Sequence, residues 1–155
     1  MNMADNLTIP AFLPEDYFSG ALHAYGVFVD RTGKIRRQFE VDISGQRTST
    51  GFILDEAFLY DDGATEQRRW VVTAIGNGQY RGQCGDVIGE ARGELQDNML
   101  RWRYAFRLEM FNRKVNVKFD DVMVLQASNI LVNRAIVSKW GFKLGEVLLT
   151  FRRFG

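Results

Sequence analysis

Glu56 stands where the surrounding pattern is apolar, and it is the first residue that suggests chemistry. It alternates with the apolar side chains of residues 52–60. If that face points inward, the carboxyl group is buried. Burial without a charged partner disfavours the ionised form and raises the pKa of the group. Glu56 is then a polar anchor, or an acid, inside a pocket. The alternatives are an ion pair with an arginine such as Arg68 or Arg134, or an outward-pointing face.

Arg134 is a second charged residue in an apolar stretch, and it directly follows Asn133. Adjacent strand residues point to opposite faces, so at most one of the two faces an interior. Arg134 alternates with the apolar residues of the stretch, and its planar guanidinium would suit a ligand carboxylate. Alternatively, Arg134 closes one end of the fold by stacking on Trp70 or Trp102.

An aromatic stripe lies on one face of residues 99–110 and includes Trp102 and Tyr104. Together with Trp70, these side chains either fill a core or line the wall of a ligand pocket. Asp120-Asp121 is interpreted as a turn satisfied by its own side chains. A regular calcium loop is absent, and the single Cys84 and single His23 provide no metal-ligand spacing. The sequence therefore assigns no metal, cofactor or catalytic residue.

Strands must position these residues, because period-two alternation begins at Gly20 and is interrupted by Gly, Asp and Asn. Both prolines precede it, at Pro10 and Pro14. Asn133–Trp140 is the one stretch that could instead form a short helix. The predicted strands are residues 21–30, 35–43, 52–60, 67–75, 79–84, 87–95, 99–110, 114–119, 122–127, 130–138 and 143–153.

Many short strands joined by tight turns predict an all-β fold, a single antiparallel meander closed into a lipocalin-like barrel of about 8–11 strands. Closure removes the sheet edges that an open meander would expose. A two-sheet sandwich is the alternative. The predicted organisation is an irregular N-terminal lead-in over residues 1–19 and one barrel domain over residues 20–155. Glycines within residues 76–93 are expected to mark bulges or sharp bends.

Composition limits the partners. The 155 residues include 20 basic and 19 acidic side chains, for a net charge of +1. This balance argues against nucleic-acid binding, which relies on excess Lys and Arg. No stretch approaches the roughly 20 apolar residues of a transmembrane helix. Residues 1–14 show no secretory signal, so the expected location is cytoplasmic, or periplasmic if a signal sequence precedes this chain.

A set of short motifs, spread from about Phe12 to Phe151, resembles the bacterial family catalogued as domain of unknown function 3833. The motifs are Tyr17-Phe18-x-Gly20, Gly26-x-Phe28-x-Asp30-Arg31-x-Gly33, Leu54-x-Glu56-x-Phe58-x-Tyr60-Asp61-Asp62-Gly63, Arg69-Trp70, Tyr80-x-Gly82, Asp86-Val87-x-Gly89-x-Ala91-x-Gly93, Trp102-x-Tyr104, Phe119-Asp120-Asp121-x-Met123, Asn133-Arg134-Ala135, Lys139-x-Gly141 and Gly145-Glu146. The resemblance implies no established activity. Many family members look like exported lipoproteins, a pattern from which residues 1–14 depart because they contain no cysteine.

Three functions remain open. The first is a binding module for a small apolar or lipid-like ligand such as a fatty acid, with Glu56 or Arg134 at its polar end and Trp70, Trp102 and Tyr104 along the wall. The second is a lipid- or isoprenoid-modifying enzyme of the isomerase or cyclase type, with Glu56 or Asp86 as its acid. The third is a structural protein with a filled core.

Overall fold

The segments with alternating apolar side chains form ten antiparallel strands, and the chain also contains one turn of α-helix. The computed structural model describes residues 8–110 and 112–154. The elements are α1 Pro14–Tyr17, β1 Gly20–Asp30, β2 Ile35–Arg47, β3 Gly51–Tyr60, β4 Thr65–Gly76, β5 Gln79–Gln83, β6 Val87–Gln96, β7 Met99–Met110, β8 Arg113–Ala127, β9 Ile130–Lys139 and β10 Phe142–Arg153.

The sheet is a meander that closes on itself. Each strand pairs with its neighbours in the chain, and β1 completes the barrel by pairing with β10 from Leu22 opposite Arg153 to Asp30 opposite Gly145. Closure gives both terminal strands a hydrogen-bonding partner, so no edge remains in the described sheet. The predicted all-β fold, a single antiparallel meander closed into a barrel, is therefore confirmed, with ten strands.

Strand β8 corrects the prediction of two short strands separated by a turn at Asp120-Asp121. The pair lies in the middle of one continuous strand, with β7 on one side and β9 on the other. Asp120 points outward and bonds Arg101 at 2.8 Å, whereas Asp121 points inward. Pairing on both sides outweighs the turn preference of two aspartates. Likewise, residues 133–139 belong to β9, so the alternative of a helix there is wrong.

Gly89 marks an irregularity of the kind expected in the glycine-rich segment. Its φ is +71°, a conformation that suits glycine, and the register between β6 and β7 shifts between Ile88 and Arg92. The strand bends at this position.

The N-terminal segment closes one end of the barrel and contains the short helix α1, which the sequence did not predict. Phe12, Tyr17 and Phe18 are all buried. Phe18 stacks on Phe52 at the start of β3, with ring centroids 5.5 Å apart. The Tyr17 hydroxyl donates to the Asn129 carbonyl, at 3.1 Å, in the β8–β9 turn. These contacts block the interior at this end.

No helix within the described residues is long and apolar enough to cross a membrane.

Candidate functional site

A cavity of about 300 Å³ occupies the barrel interior. It extends from Phe18 and Phe52 at the helix end to Arg37 and Tyr60 at the opposite end. Every strand contributes alternate side chains to the interior, which is why most of the lining is aromatic or aliphatic. The volume is at the lower end of the range of about 300–1,000 Å³ that is typical of ligand pockets. It suits one small molecule.

Three predicted residues form one aromatic wall of this cavity. Trp70 and Trp102 are 8% and 6% exposed, and their ring centroids lie 5.7 Å apart. Tyr104 contacts Trp70 edge to face at 5.2 Å and stacks in parallel on Phe119 at 5.0 Å. The structure therefore brings Trp70, Trp102 and Tyr104 together, as the alternation indicated.

Glu56 also points into the cavity, from the middle of β3. It is half-buried because its side chain borders the cavity. Burial raises the pKa of Glu56 to about 7, although Arg68 and a hydrogen bond from Trp70 act in the opposite direction. Arg68, directly across the ladder, bonds Glu66 at 2.9 Å. The sequence left open whether this face points inward, and the structure places it inside the barrel.

Asp121 and Asn133 are interior polar residues whose part in the cavity the sequence analysis missed. They are 5% and 3% exposed, and the Asn133 Nδ2 atom donates to Asp121 Oδ2 at 3.2 Å. Burial, to which the negative charge of Glu56 adds, raises the pKa of Asp121 to about 7. Both Oδ1 atoms lack a hydrogen-bond partner among the described residues. Asp121 alternates with Phe119, and Asn133 alternates with Leu131. This alternation was the sequence signal that could have indicated their inward position.

Arg134 does not face the interior, and the prediction that it meets a ligand or stacks on a tryptophan there is wrong. Its guanidinium lies on the outer surface and bonds Glu146 at 2.6 Å. Since Asn133 points inward, its neighbour must point outward. Some residues on the outer face of β9 are also apolar, such as Val132, which is 41% exposed. The sequence therefore did not show clearly which face of this strand points inward. Asp86 is likewise exposed, in the β5–β6 turn, and is no interior acid.

Charged side chains lie towards the end of the cavity that α1 does not cover. The Arg68 guanidinium lies 4.6 Å from the centroids of both Phe58 and Phe106 while it bonds Glu66. The Tyr60 hydroxyl donates to Glu66 at 2.7 Å. Arg37 covers the Tyr60 ring at 3.4 Å, and its side chain is 41% exposed. The cavity therefore meets solvent through a rim of paired charges.

Comparison with known proteins assigns the chain to a family. The family described as "Protein of unknown function (DUF3833)" matches residues 3–153. The chain belongs to this family. The resemblance seen in the sequence motifs is thus confirmed. No curated protein matches the chain.

One solved structure is similar to this DUF3833 protein over nearly its whole length. It is an S-type phycobiliprotein lyase, CPES, from Guillardia theta, with a TM-score of 0.66 and 10% sequence identity. The match covers 91% of this chain and 92% of that chain. At such low identity the likeness shows the shared barrel fold alone.

Proposed function

We propose that this protein is a binding module that holds one small, largely apolar molecule inside its barrel. The observation that carries the proposal is the cavity of about 300 Å³ enclosed by aromatic side chains. A protein whose barrel served only as a structural core would be expected to fill this space, because protein interiors are close-packed.

Two further features support binding. Charged and amide side chains are a minority of the cavity lining, and a few polar groups of this kind orient a ligand in an otherwise apolar pocket. The similar solved structure is a phycobiliprotein lyase, so a barrel of this shape occurs in a protein named for its action on phycobiliproteins. The sequence analysis offered Glu56 and Arg134 as alternative polar anchors for the ligand. We assign this role to Glu56.

The test is native mass spectrometry of the purified protein beside the denatured chain, followed by solvent extraction. We expect a co-purifying small molecule, and we expect the extracted protein to show tryptophan quenching when that molecule is returned. Trp70→Phe and Trp102→Phe should each reduce the quenching because both rings line the cavity. Arg134→Ala is the control, since its side chain is on the outer surface.

A clean apo mass, together with no quenching by apolar compounds of suitable size, would contradict the proposal.

A second candidate function is proton transfer on the bound molecule, favoured by two interior carboxyl groups with pKa values raised to about 7. Incubation of the complex in heavy water distinguishes the two. Deuterium appearing on a carbon of the extracted ligand with wild-type protein, but not with Glu56→Gln, would indicate an enzyme.

A further inference from the structure

We propose that the bound molecule carries a positively charged or N–H-donating nitrogen group, which the cavity recognises through Glu56, Asp121 and Asn133. This inference rests on the proposed function and adds the chemical class of the ligand. We call the three side chains the acceptor cluster.

The first argument is the hydrogen-bonding capacity of the cluster. Asp121 and Asn133 are more than nine-tenths buried and line the cavity, and each leaves Oδ1 without a partner among the described residues. Buried acceptors without donors are costly and uncommon in folded proteins. The Glu56 carboxyl group borders the same cavity from the β3 side. A ligand that donates hydrogen bonds would satisfy these oxygens.

The second argument is charge. Arg68 is the basic residue that acts on Glu56, but its guanidinium is already bonded to Glu66. Glu56 therefore shares Arg68 with the carboxylate of Glu66, and the hydrogen-bond partner of Asp121 is the neutral amide of Asn133. A cationic ligand would supply the missing positive charge. The carboxylate of a fatty acid would instead place another negative charge beside two carboxyl groups, which disfavours it at this depth.

The third argument is the position of the cluster beside the aromatic wall. Tyr104 is close enough to Asp121 and Glu56 for both carboxyl groups to raise its pKa. Trp70 contacts Tyr104 and donates towards Glu56. A nitrogen group held by the carboxyls would thus lie next to ring faces, which attract cations, while the apolar body of the ligand fills the aromatic part of the cavity.

The test uses three matched probes, 1-naphthylmethylamine, 1-naphthylmethanol and 1-naphthoate, titrated into solvent-extracted protein by calorimetry at neutral pH. We expect the amine to bind more tightly than the alcohol, and the acid most weakly. Glu56→Gln and Asp121→Asn should each weaken amine binding about ten- to a hundredfold, the usual size of a charge-assisted hydrogen bond. Alcohol binding should change less than about threefold.

Adjacent residues provide the controls. Asp55→Asn and Asp120→Asn make the same kind of change on the outer face of the same two strands, where each carboxylate bonds an arginine. They should leave amine binding unaltered. Equal affinity for amine and alcohol in wild-type protein, or amine binding insensitive to both interior variants, would overturn this inference and leave the proposed function standing. If none of the probes and no co-purified molecule binds, the proposed function itself fails.

An independent observation concerns the rim at the end opposite α1. The β9–β10 turn presents Trp140 and Phe142, which are 85% and 73% exposed. The turn is tight, with φ values of +52° at Trp140 and +80° at Gly141. The Lys139 Nζ atom lies 4.6 Å from the Trp140 ring centroid. Two large aromatic side chains are thus held in water beside a cation.

Charge is distributed unevenly around the same rim. The turns that flank β9–β10 are β1–β2, with Arg31 and Lys34, and β7–β8, which is followed by Arg113 and Lys114. The β3–β4 and β5–β6 turns on the other side carry three aspartates and no basic residue: Asp61, Asp62 and Asp86. We call the first three turns the basic arc. An exposed tryptophan amid basic residues is the combination that binds an anionic lipid surface.

From this arrangement we infer that the basic arc docks on an anionic bilayer, which would bring the open end of the cavity to the membrane surface. The test is co-sedimentation with vesicles of phosphatidylcholine containing one quarter phosphatidylglycerol, against vesicles of phosphatidylcholine alone. We expect binding to the anionic vesicles, a loss of at least about tenfold in the Trp140→Ala/Phe142→Ala double variant, and weakening by salt. Leu59→Ala, at a residue 53% exposed on β3, is the control.

Two results would overturn the docking proposal. One is the absence of binding to anionic vesicles. The other is equal binding by wild-type protein and the double variant, which would mean that the aromatic tip does not touch lipid. Concentration-dependent dimerisation that the double variant abolishes, without vesicle binding, would assign the tip to a second copy of the chain instead.

Discussion

Trp102→Ala is expected to lower the free energy of unfolding by about 3–5 kcal/mol, the usual cost of truncating a buried tryptophan. The ring is 6% exposed and fits closely between two strands. A methyl group added at Gly82 would lie 2.4 Å from a Trp102 ring atom, and one at Gly93 would lie 2.5 Å away. The absence of side chains at these glycines makes the space for the indole. Urea unfolding followed by far-ultraviolet circular dichroism measures the loss.

Two companion variants make this prediction specific. Trp140→Ala removes the same side chain from a site 85% exposed and should change stability by less than about 0.5 kcal/mol. Gly93→Ala should cost about 1–3 kcal/mol in the wild-type background through overpacking, and much less once Trp102 is alanine. Additive effects of Gly93→Ala and Trp102→Ala would contradict the packing of the ring against this glycine.

Glu56→Gln is expected to gain stability relative to wild type, by about 3 kcal/mol, as the pH rises from about 4.5 to about 7. Over this interval the unfolded chain has released the Glu56 proton while the folded protein still holds it, so wild-type stability falls with rising pH. Above about 7 both states are ionised and the difference levels off. Glutamine does not titrate and escapes this loss.

The measurement is the difference in unfolding free energy between variant and wild type at several pH values. Its slope reports the titration of Glu56 together with a smaller change at Asp121, whose pKa the charge of Glu56 raises. Asp55→Asn is the control. The bond from Arg69 holds the pKa of Asp55 below its usual value, so the stability that Asp55→Asn loses relative to wild type develops below about pH 4, and its curve should run parallel to that of wild type between pH 4.5 and 7. Parallel wild-type and Glu56→Gln curves between pH 4.5 and 7 would show that the carboxyl group titrates normally.

Local signals were sufficient for most of the fold. A strand with one buried face alternates residue by residue, and short turns carry Gly, Asp or Asn for reasons of backbone conformation, as at Asp61-Asp62-Gly63, where the φ of Gly63 is +85°. The barrel then follows because a long meander must hide its edges. The same alternation predicted interior positions for Trp70, Trp102 and Tyr104, and for Glu56 on the condition that its strand face points inward.

The same reasoning failed on β8 and β9. Two adjacent aspartates favour a turn locally, and the ladders on both sides of β8 override that preference through pairing that spans distant parts of the chain. On β9 both faces are apolar in places, and the sequence analysis placed Arg134, instead of Asn133, at the interior. The bond from Arg134 to Glu146 on the outer surface corrects that placement.

Alternation thus predicted the class of fold, and the resemblance of the short motifs predicted the family. The chemistry of the cavity depends on which side chains are neighbours in space, and no local sequence pattern contains that information. Glu56 and Asp121 are far apart in the chain, and closure of the barrel places both against one interior cavity, where the charge of Glu56 adds to burial in raising the pKa of Asp121. The cost of burying a charge depends on what surrounds it in space. The acceptor cluster therefore emerges only when barrel closure places β3 across the interior from the adjacent strands β8 and β9.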